Sequence, residues 1–321
     1  MAACIMFGGA GFVGTHLANF FLDTKRFSRI YIADIKESSL KNHPQVTVFH
    51  SDVREVIKLD LEENPEWIFN FAAIHREPGH DHNEYFETNL KGAENVCHFA
   101  ETINCKSIFF TSSISIYGPC LVLTDETKSP SPTTPYGGSK YPAELIHQMW
   151  LNAAGERRLI ITRPGVIYGP GDPGNILRMI KAIQKGYFAF PGSSRIHKSY
   201  AYIYGFMDSI NFMMNRTERL LIYNYVETPT ETIEDLAKIV KQKLKSNAPI
   251  ISISPILLLP VANLLQLFKK GNNPIHPVRV KKARTPTHIA PKVLVDLGFQ
   301  FQYGFEKSLT HWLTISKEDF N

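Results

Sequence analysis

The stretch TTPYGGSKYPAEL, Thr133 to Leu145, sets a phenol and an ammonium group four residues apart, Tyr136 and Lys140. On a helix, residues at that spacing share a face. A phenol titrates near 10 in water, and an adjacent cation favours its ionised form, so the pair could take up and return a proton. The same spacing also occurs in ordinary helix starts. Pro142 adds a second ambiguity. Inside a helix it deletes one backbone hydrogen bond and crowds the carbonyl four residues back, here that of Gly138, where crowding is eased. If the helix began at Pro142, Tyr136 and Lys140 would not share a face.

A second group of residues has the spacing that phosphate binding requires. FGGAGFVG places Gly8, Gly9, Gly11 and Gly14 between an apolar run and a helical pattern. Gly9-x-Gly11-x-x-Gly14 meets the dinucleotide spacing, and Gly8-x-x-Gly11-x-x-Gly14 the variant with three-residue steps. Glycines permit the tight turn and let backbone N–H groups approach a pyrophosphate, whose charge a helix N-terminus favours. Asp34 ends the next apolar run. A carboxylate there accepts both ribose hydroxyls of an adenosine and repels a 2′-phosphate, which favours NAD over NADP, although Lys36 stands close. Asp52 follows the third run, where the adenine would lie; a turn-forming role is the other reading.

These groups need a scaffold, and the apolar runs supply one. They fall near the N-terminus and at 29–35, 46–52, 66–73, 106–113 and 158–169, with helical patterns at 83–104 and 136–154. Strands alternating with helices predict an α/β fold with a doubly wound parallel sheet of the Rossmann type. Beyond Gly169 the rhythm changes to Gly- and Pro-rich loops with shorter helices at 175–186, 207–216 and 231–245. The expected division is a dinucleotide-binding domain over 1–169, completed by part of 190–230, and a smaller C-terminal substrate lobe over 170–321, partly interleaved with it.

With these pieces in place the chain resembles the extended short-chain dehydrogenase/reductase family, in its nucleotide-sugar epimerase and reductase branch. GGAGFVG matches the glycine motif, with Phe7 where the family usually has Thr. NFAA at 70–73, TNLKGAENV at 88–96, TSSISIYG at 111–118, PYGGSK and RPGVIYGPGDPGN at 163–175 match further motifs in the family order. The match covers roughly residues 3 to 240 well and the tail loosely. The resemblance implies Ser113, Tyr136 and Lys140 as catalytic residues. It implies NAD held by Gly8, Gly11, Phe12, Val13, Gly14, Asp34, Asp52, Val53, Ala72, Ala73, Asn89, Ser112, Tyr136, Lys140 and Pro164. Ser113 would hold the substrate oxygen while Tyr136 removes the hydroxyl proton and NAD takes the hydride. Lowering the phenol to near neutrality, with help from Lys140 and the positive nicotinamide, requires roughly 4 kcal/mol.

For the substrate, the resemblance implies a nucleotide sugar met by His75, Arg76, Glu77, Ser113, Asn175, Lys198 and Arg279, with Arg284 near the last. A metal at His75, His80 and His82 is not expected, since their spacing promises no ligand geometry. The residues after Ser113 are Ile114 and Ser115, without the acidic pair of the related dehydratases. The leading expectation is an NAD-dependent epimerase acting at C4 of a UDP-hexose or UDP-N-acetylhexosamine, in polysaccharide biosynthesis. A 4-keto-sugar reductase is the alternative, and a hydroxysteroid-dehydrogenase-like enzyme a third.

Bulk properties bound the partners. The 321 residues are 44% hydrophobic and 20% charged, with net charge +5 and no dense basic stripe, so nucleic acid is not an expected partner. Four scattered cysteines show no CxxC spacing, and the N-terminal run reads as strand rather than signal, so a cytoplasmic protein is expected. Residues 250–268 carry no charge, but their prolines and polar residues predict a buried or interfacial helix rather than a span, with membrane contact the other reading. A homodimer packed through 83–104 and 136–154 is expected from the resemblance.

Overall fold

The structure is a computed structural model that describes residues 2–254, 256, 258–260, 263 and 276–321. Seven parallel strands form the central sheet: β1 (Ala3–Phe7), β2 (Arg29–Asp34), β3 (Val46–His50), β4 (Pro65–Asn70), β5 (Ser107–Thr111), β7 (Arg158–Pro164) and β11 (Leu220–Tyr225). Their order is β11-β7-β5-β4-β1-β2-β3, so the sheet is wound outward in both directions from β1 and β4. Three short parallel pairs lie outside it. They are β6 (Cys120–Thr124) with β13 (Thr287–Ile289), β8 (Val166–Tyr168) with β10 (Tyr200–Tyr202), and β9 (Phe188–Pro191) with β12 (Ile250–Ile253).

Alternation along each strand divides the core. Cys4, Met6, Ile30, Ile32, Trp67, Phe69, Phe109 and Ile160 face helix α1 (Phe12–Asp23) and helix α5 (Ile203–Met214). Ala3, Ile5, Phe7, Tyr31, Ile68, Ile108, Phe110 and Ile161 face α2 (His82–Thr102) and α3 (Pro135–Asn152), whose Ala93, Val96, Ala143 and Trp150 complete that layer. Side chains of period two, apolar on both sides, are what a sheet covered by helices on both faces requires.

Two differences from the sequence reading have local causes. The run 158–169 is not one strand but two, β7 and β8, broken at Gly165. A Cβ there would lie 2.6 Å from the Ser199 carbonyl oxygen, so the backbone turns where only glycine fits. Residues 250–268 open as strand β12, not as helix, since Ile250, Ile251 and Ile253 are β-branched and pair with β9. The rest of that segment lies largely outside the described residues. Among the described residues no helix is long and apolar enough to cross a membrane.

Helix α3 begins before Pro142 and contains it. Thr134 is its N-cap, accepting the Gly137 N–H at 3.1 Å, and Pro135 occupies the first turn where its missing N–H costs nothing. The helix is docked on the sheet by a buried ion pair. Arg163 of β7 donates to Glu144 of α3 through Nε (3.0 Å) and Nη2 (2.7 Å), and through Nη1 to the Tyr117 hydroxyl (2.8 Å). Glu144 is fully buried and Arg163 nearly so. Removing one partner strands the other charge, which costs about 3–5 kcal/mol. Glu144→Ala is therefore expected to lower stability by about 3–5 kcal/mol in urea denaturation. A loss under about 1 kcal/mol would show that the pair does not hold the helix.

Candidate active site

The carboxyl end of the sheet gathers the glycine loop, the loop after β4, the turn after β5 and the N-terminus of α3. Gly8 adopts φ +74°, and a Cβ on it would lie 2.6 Å from the Ala72 nitrogen, so the glycine loop and the loop after β4 touch backbone to backbone. A Cβ on Gly14 would meet Gly9 Cα at 2.5 Å, which presses the first turn of α1 against the loop. Gly11 is the N-cap of α1, followed by Phe12, Val13 and Gly14, and no side chain caps that end. Asp34, at the end of β2, accepts from the Ala10 N–H (3.0 Å) and the Lys36 N–H (2.9 Å), which ties its carboxylate to the glycine loop.

Asp52 is engaged locally. Arg54 donates to it through its backbone N–H and through Nε, each at 3.0 Å to Oδ1, and the guanidinium holds the carboxyl below its usual range. Val53 is buried and packs on Gly92 of α2. Ala72 and Ala73 are partly buried beside Gly8, and Pro164 ends β7 opposite Tyr225. Ser112 Oγ and Asn70 Oδ1 are buried at strand ends without a protein hydrogen-bond partner. An uncapped helix N-terminus, a glycine cradle, a carboxylate at the end of β2 and unpartnered polar atoms at the strand ends all fit a dinucleotide.

Tyr136 and Lys140 both lie on α3, one turn apart. Ser113 has extended backbone, and its Oγ accepts from the Ser115 N–H at 3.1 Å, capping a single 3-10 turn over Ile114–Tyr117. Burial pushes the Tyr136 phenol up to about 12, with a hydrogen bond from Ser113 opposing and the Glu77 charge adding. Burial also pushes Lys140 down to about 7, with Glu144 opposing. The Lys140 ammonium sits 4.6 Å from the centroid of the Phe110 ring. His147 stacks on the same ring at 4.1 Å, and its burial lowers it to about 4, so it stays neutral. The isolated chain thus holds its phenol protonated, the opposite of what proton abstraction needs.

Asn89 joins the parts. Its Oδ1 accepts from the Ile74 N–H (3.0 Å), and its Nδ2 donates to the Ile74 carbonyl (3.2 Å) and to Ser139 Oγ (2.7 Å). Ser139 in turn donates to the Tyr136 carbonyl at 2.9 Å. Sequence reasoning missed Ser139, Glu144 and Arg163. Only the Lys140–Glu144 spacing of four was legible as a signal, and nothing in the string pairs Glu144 with Arg163.

The substrate-side residues are spread. The charges of Arg76, Lys140 and Lys282 all bear on His75, which burial has already lowered. Glu77 accepts from the Tyr136 N–H at 3.0 Å and pairs with Lys282 at 3.2 Å. Asn175 opens α4 (Asn175–Gln184) and accepts from Arg178 at 3.3 Å. Lys198 donates to the Lys282 carbonyl (2.9 Å) and to that of Thr285, at the end of the helix Pro277–Arg284. Arg279, on that helix, lies near enough to Arg178 for its charge to register, and Arg284 lies over Gly192.

Residues 4–224 match the model of a family described as the NAD dependent epimerase/dehydratase family. The N-acetyl-alpha-D-glucosaminyl-diphospho-ditrans,octacis-undecaprenol 4-epimerase of Escherichia coli is 29% identical over 325 residues, covering 98% of this chain and 96% of that protein. A UDP-glucose 4-epimerase of Halalkalibacterium halodurans is 27% identical over 159 residues, 48% of this chain and 47% of that one. Among solved structures, a UDP-N-acetylglucosamine 4-epimerase from Methanobrevibacter ruminantium in complex with UDP-N-acetylmuramic acid superposes with a TM-score of 0.77. It is 18% identical, and 98% of this chain and 97% of that one are covered, which is a likeness of fold. A family match over more than half the chain, on a fold whose glycine loop and strand ends fit a dinucleotide, places this protein in the NAD dependent epimerase/dehydratase family.

Proposed function

We propose that this enzyme inverts C4 of a hexose or N-acetylhexosamine carried on a diphosphate, with NAD as resident cofactor. The observation that carries the reading is Ser113 within hydrogen-bond reach of Tyr136 at the carboxyl end of the sheet, with Lys140 one turn along α3 on the face of Tyr136. NAD, when bound, supplies the reversible hydride acceptor and a positively charged ring. Tyr136 takes the proton of the C4 hydroxyl and later returns it, while Ser113 Oγ holds the oxygen in line. Lys140 supplies the nearby cation. Gly8, Gly11, Phe12, Val13 and Gly14 form the pyrophosphate cradle, and Asp34 receives the adenosine ribose. With its phenol pushed up by desolvation, Tyr136 needs that added positive charge to ionise near neutrality.

A nucleoside is the first carrier to test. A second carrier is favoured by one observation: the relative matched from end to end is named for a polyprenol-linked substrate, whereas the UDP-glucose relative matches over about half the chain. Leu121 on β6 and Ile256 are each 82% exposed, apolar surface that a lipid-linked carrier could meet. The other substrate contacts are assigned to His75, Arg76, Asn175 and Arg279. A homodimer through α2 and α3 is part of this reading, supported by exposed Phe86, Leu145 and Met149 on those helices.

The enzyme is expected to release about one NAD per chain on denaturation and to interconvert the C4 epimers without added cofactor. Free exchange of NAD(P)H with net reduction of a 4-keto sugar would replace epimerase by reductase. A panel of UDP-glucose, UDP-N-acetylglucosamine and a short-chain polyprenyl-diphospho-N-acetylglucosamine decides the carrier. Tyr136→Phe should lower kcat by at least about 100-fold with folding and NAD content unchanged. Full activity in that variant would overturn the assignment. Met149→Asp should shift the sedimentation coefficient from dimer to monomer.

A further inference from the structure

We infer that Glu77 is a positioning residue for Tyr136, holding the first turn of α3 and passing to the phenol the state of an ion pair with the helix Pro277–Arg284. The inference rests on Tyr136 being the proton-transfer group. Three observations carry it. The first turn of α3 has two N–H groups that the helix cannot satisfy, because Pro135 has none and Gly138 already bonds the Thr134 carbonyl at 2.8 Å. Thr134 Oγ1 takes that of Gly137, and the Glu77 carboxylate takes that of Tyr136 at 3.0 Å. Glu77 thus caps α3 from a loop 59 residues away, where an anion also complements the helix dipole. Its side chain is 7% exposed, so the carboxylate is not a solvated surface charge. The second carboxylate oxygen meets Lys282 Nζ at 3.2 Å, on the helix Pro277–Arg284, and that helix is itself fastened by the Lys198 ammonium on its last carbonyls.

Two consequences separate this arrangement from a merely structural cap. The charged and titratable groups around this end of α3 are Glu77, His75 and Arg76 from the loop after β4, Tyr85 from α2, Lys140 from α3 itself, and Lys282 from the helix Pro277–Arg284 with Lys198 beside it. Ser113 adds a hydroxyl. Glu77 is the anion among them, and its field makes the phenol harder to ionise. Lys282 offsets that field. Removing the anion should therefore make Tyr136 more acidic, and removing Lys282 should make it less acidic.

The test is the pH dependence of kcat in Glu77→Gln and Lys282→Gln. The amide of Glu77→Gln retains an oxygen for the Tyr136 N–H while losing the charge. Its acid limb should move down by about one pH unit, and that of Lys282→Gln should move up by less, because the Lys282 ammonium is 46% exposed and screened. Ultraviolet titration of tyrosinate, each variant taken as a difference against its Tyr136→Phe counterpart, should show the same two shifts without turnover. Unmoved profiles in both variants, or shifts of one sign, overturn the inference while Tyr136→Phe remains inactive. Full activity of Tyr136→Phe instead overturns the reading on which it rests. Should Glu77→Gln fail to fold, the upward shift in Lys282→Gln decides alone.

Discussion

A carboxylate and a guanidinium shut away from water fasten helix α3 to the sheet, and the candidate site depends on that fastening. Glu144 and Arg163 are joined by two hydrogen bonds, and Arg163 reaches on to Tyr117, whose hydroxyl donates to Asn224 Oδ1 at 2.9 Å. The chain of contacts runs from α3 through β7 and the 3-10 turn after β5 to β11. Each link is polar and buried, so each is expensive to leave half made. Such a network admits one register of α3 on the sheet. Tyr136 stands eight residues before Glu144, and Lys140 four, so fixing Glu144 sets where both side chains project.

The near end of the same helix is fixed by different means. Asn89 and Ser139 hold the Tyr136 carbonyl, and Glu77 holds its N–H. The loop after β4 supplies Ile74 and Glu77 to these contacts, and the glycine loop lies against the Ala72 backbone of the same loop. The glycine loop and the first turn of α3, with the candidate Tyr136, are therefore referenced to one short segment of chain. That segment also meets Lys282, so the C-terminal helix shares the same anchor. A sugar turning within the pocket would do so against a frame fixed at three points.

The electrostatics of the site follow from burial more than from charge. Tyr136 is raised and Lys140 lowered, both first by desolvation. A pair read from spacing alone as a poised phenolate and ammonium has, in the folded chain, its phenol pushed up and its ammonium pushed down by the same loss of water. Spacing reports which groups meet, and the dielectric around them decides their protonation. The low values for His147 and the high ones for buried tyrosines have the same origin.

The glycine spacing, Asp34 and the apolar runs of β1, β2 and β4 were legible in the string because each is a local pattern, and the order of the later motifs was legible through their resemblance to the family. The parallel sheet followed from strands alternating with helices. The run 158–169 misled because continuous apolar character hides a break that only the approach of Ser199 enforces. The same limit applied to the side chains. Nothing in the string pairs Asp52 with Arg54, sets Lys198 on two carbonyls at the end of the helix Pro277–Arg284, or brings Glu77 to the first turn of α3. Local spacing by itself determined the glycine loop, the winding of the sheet and the placing of Tyr136 and Lys140 one helical turn apart, and the resemblance of its motifs pointed to the family. Tertiary structure decided what each charged side chain pairs with, because partners 19, 59 or 205 residues apart are brought together only by the fold.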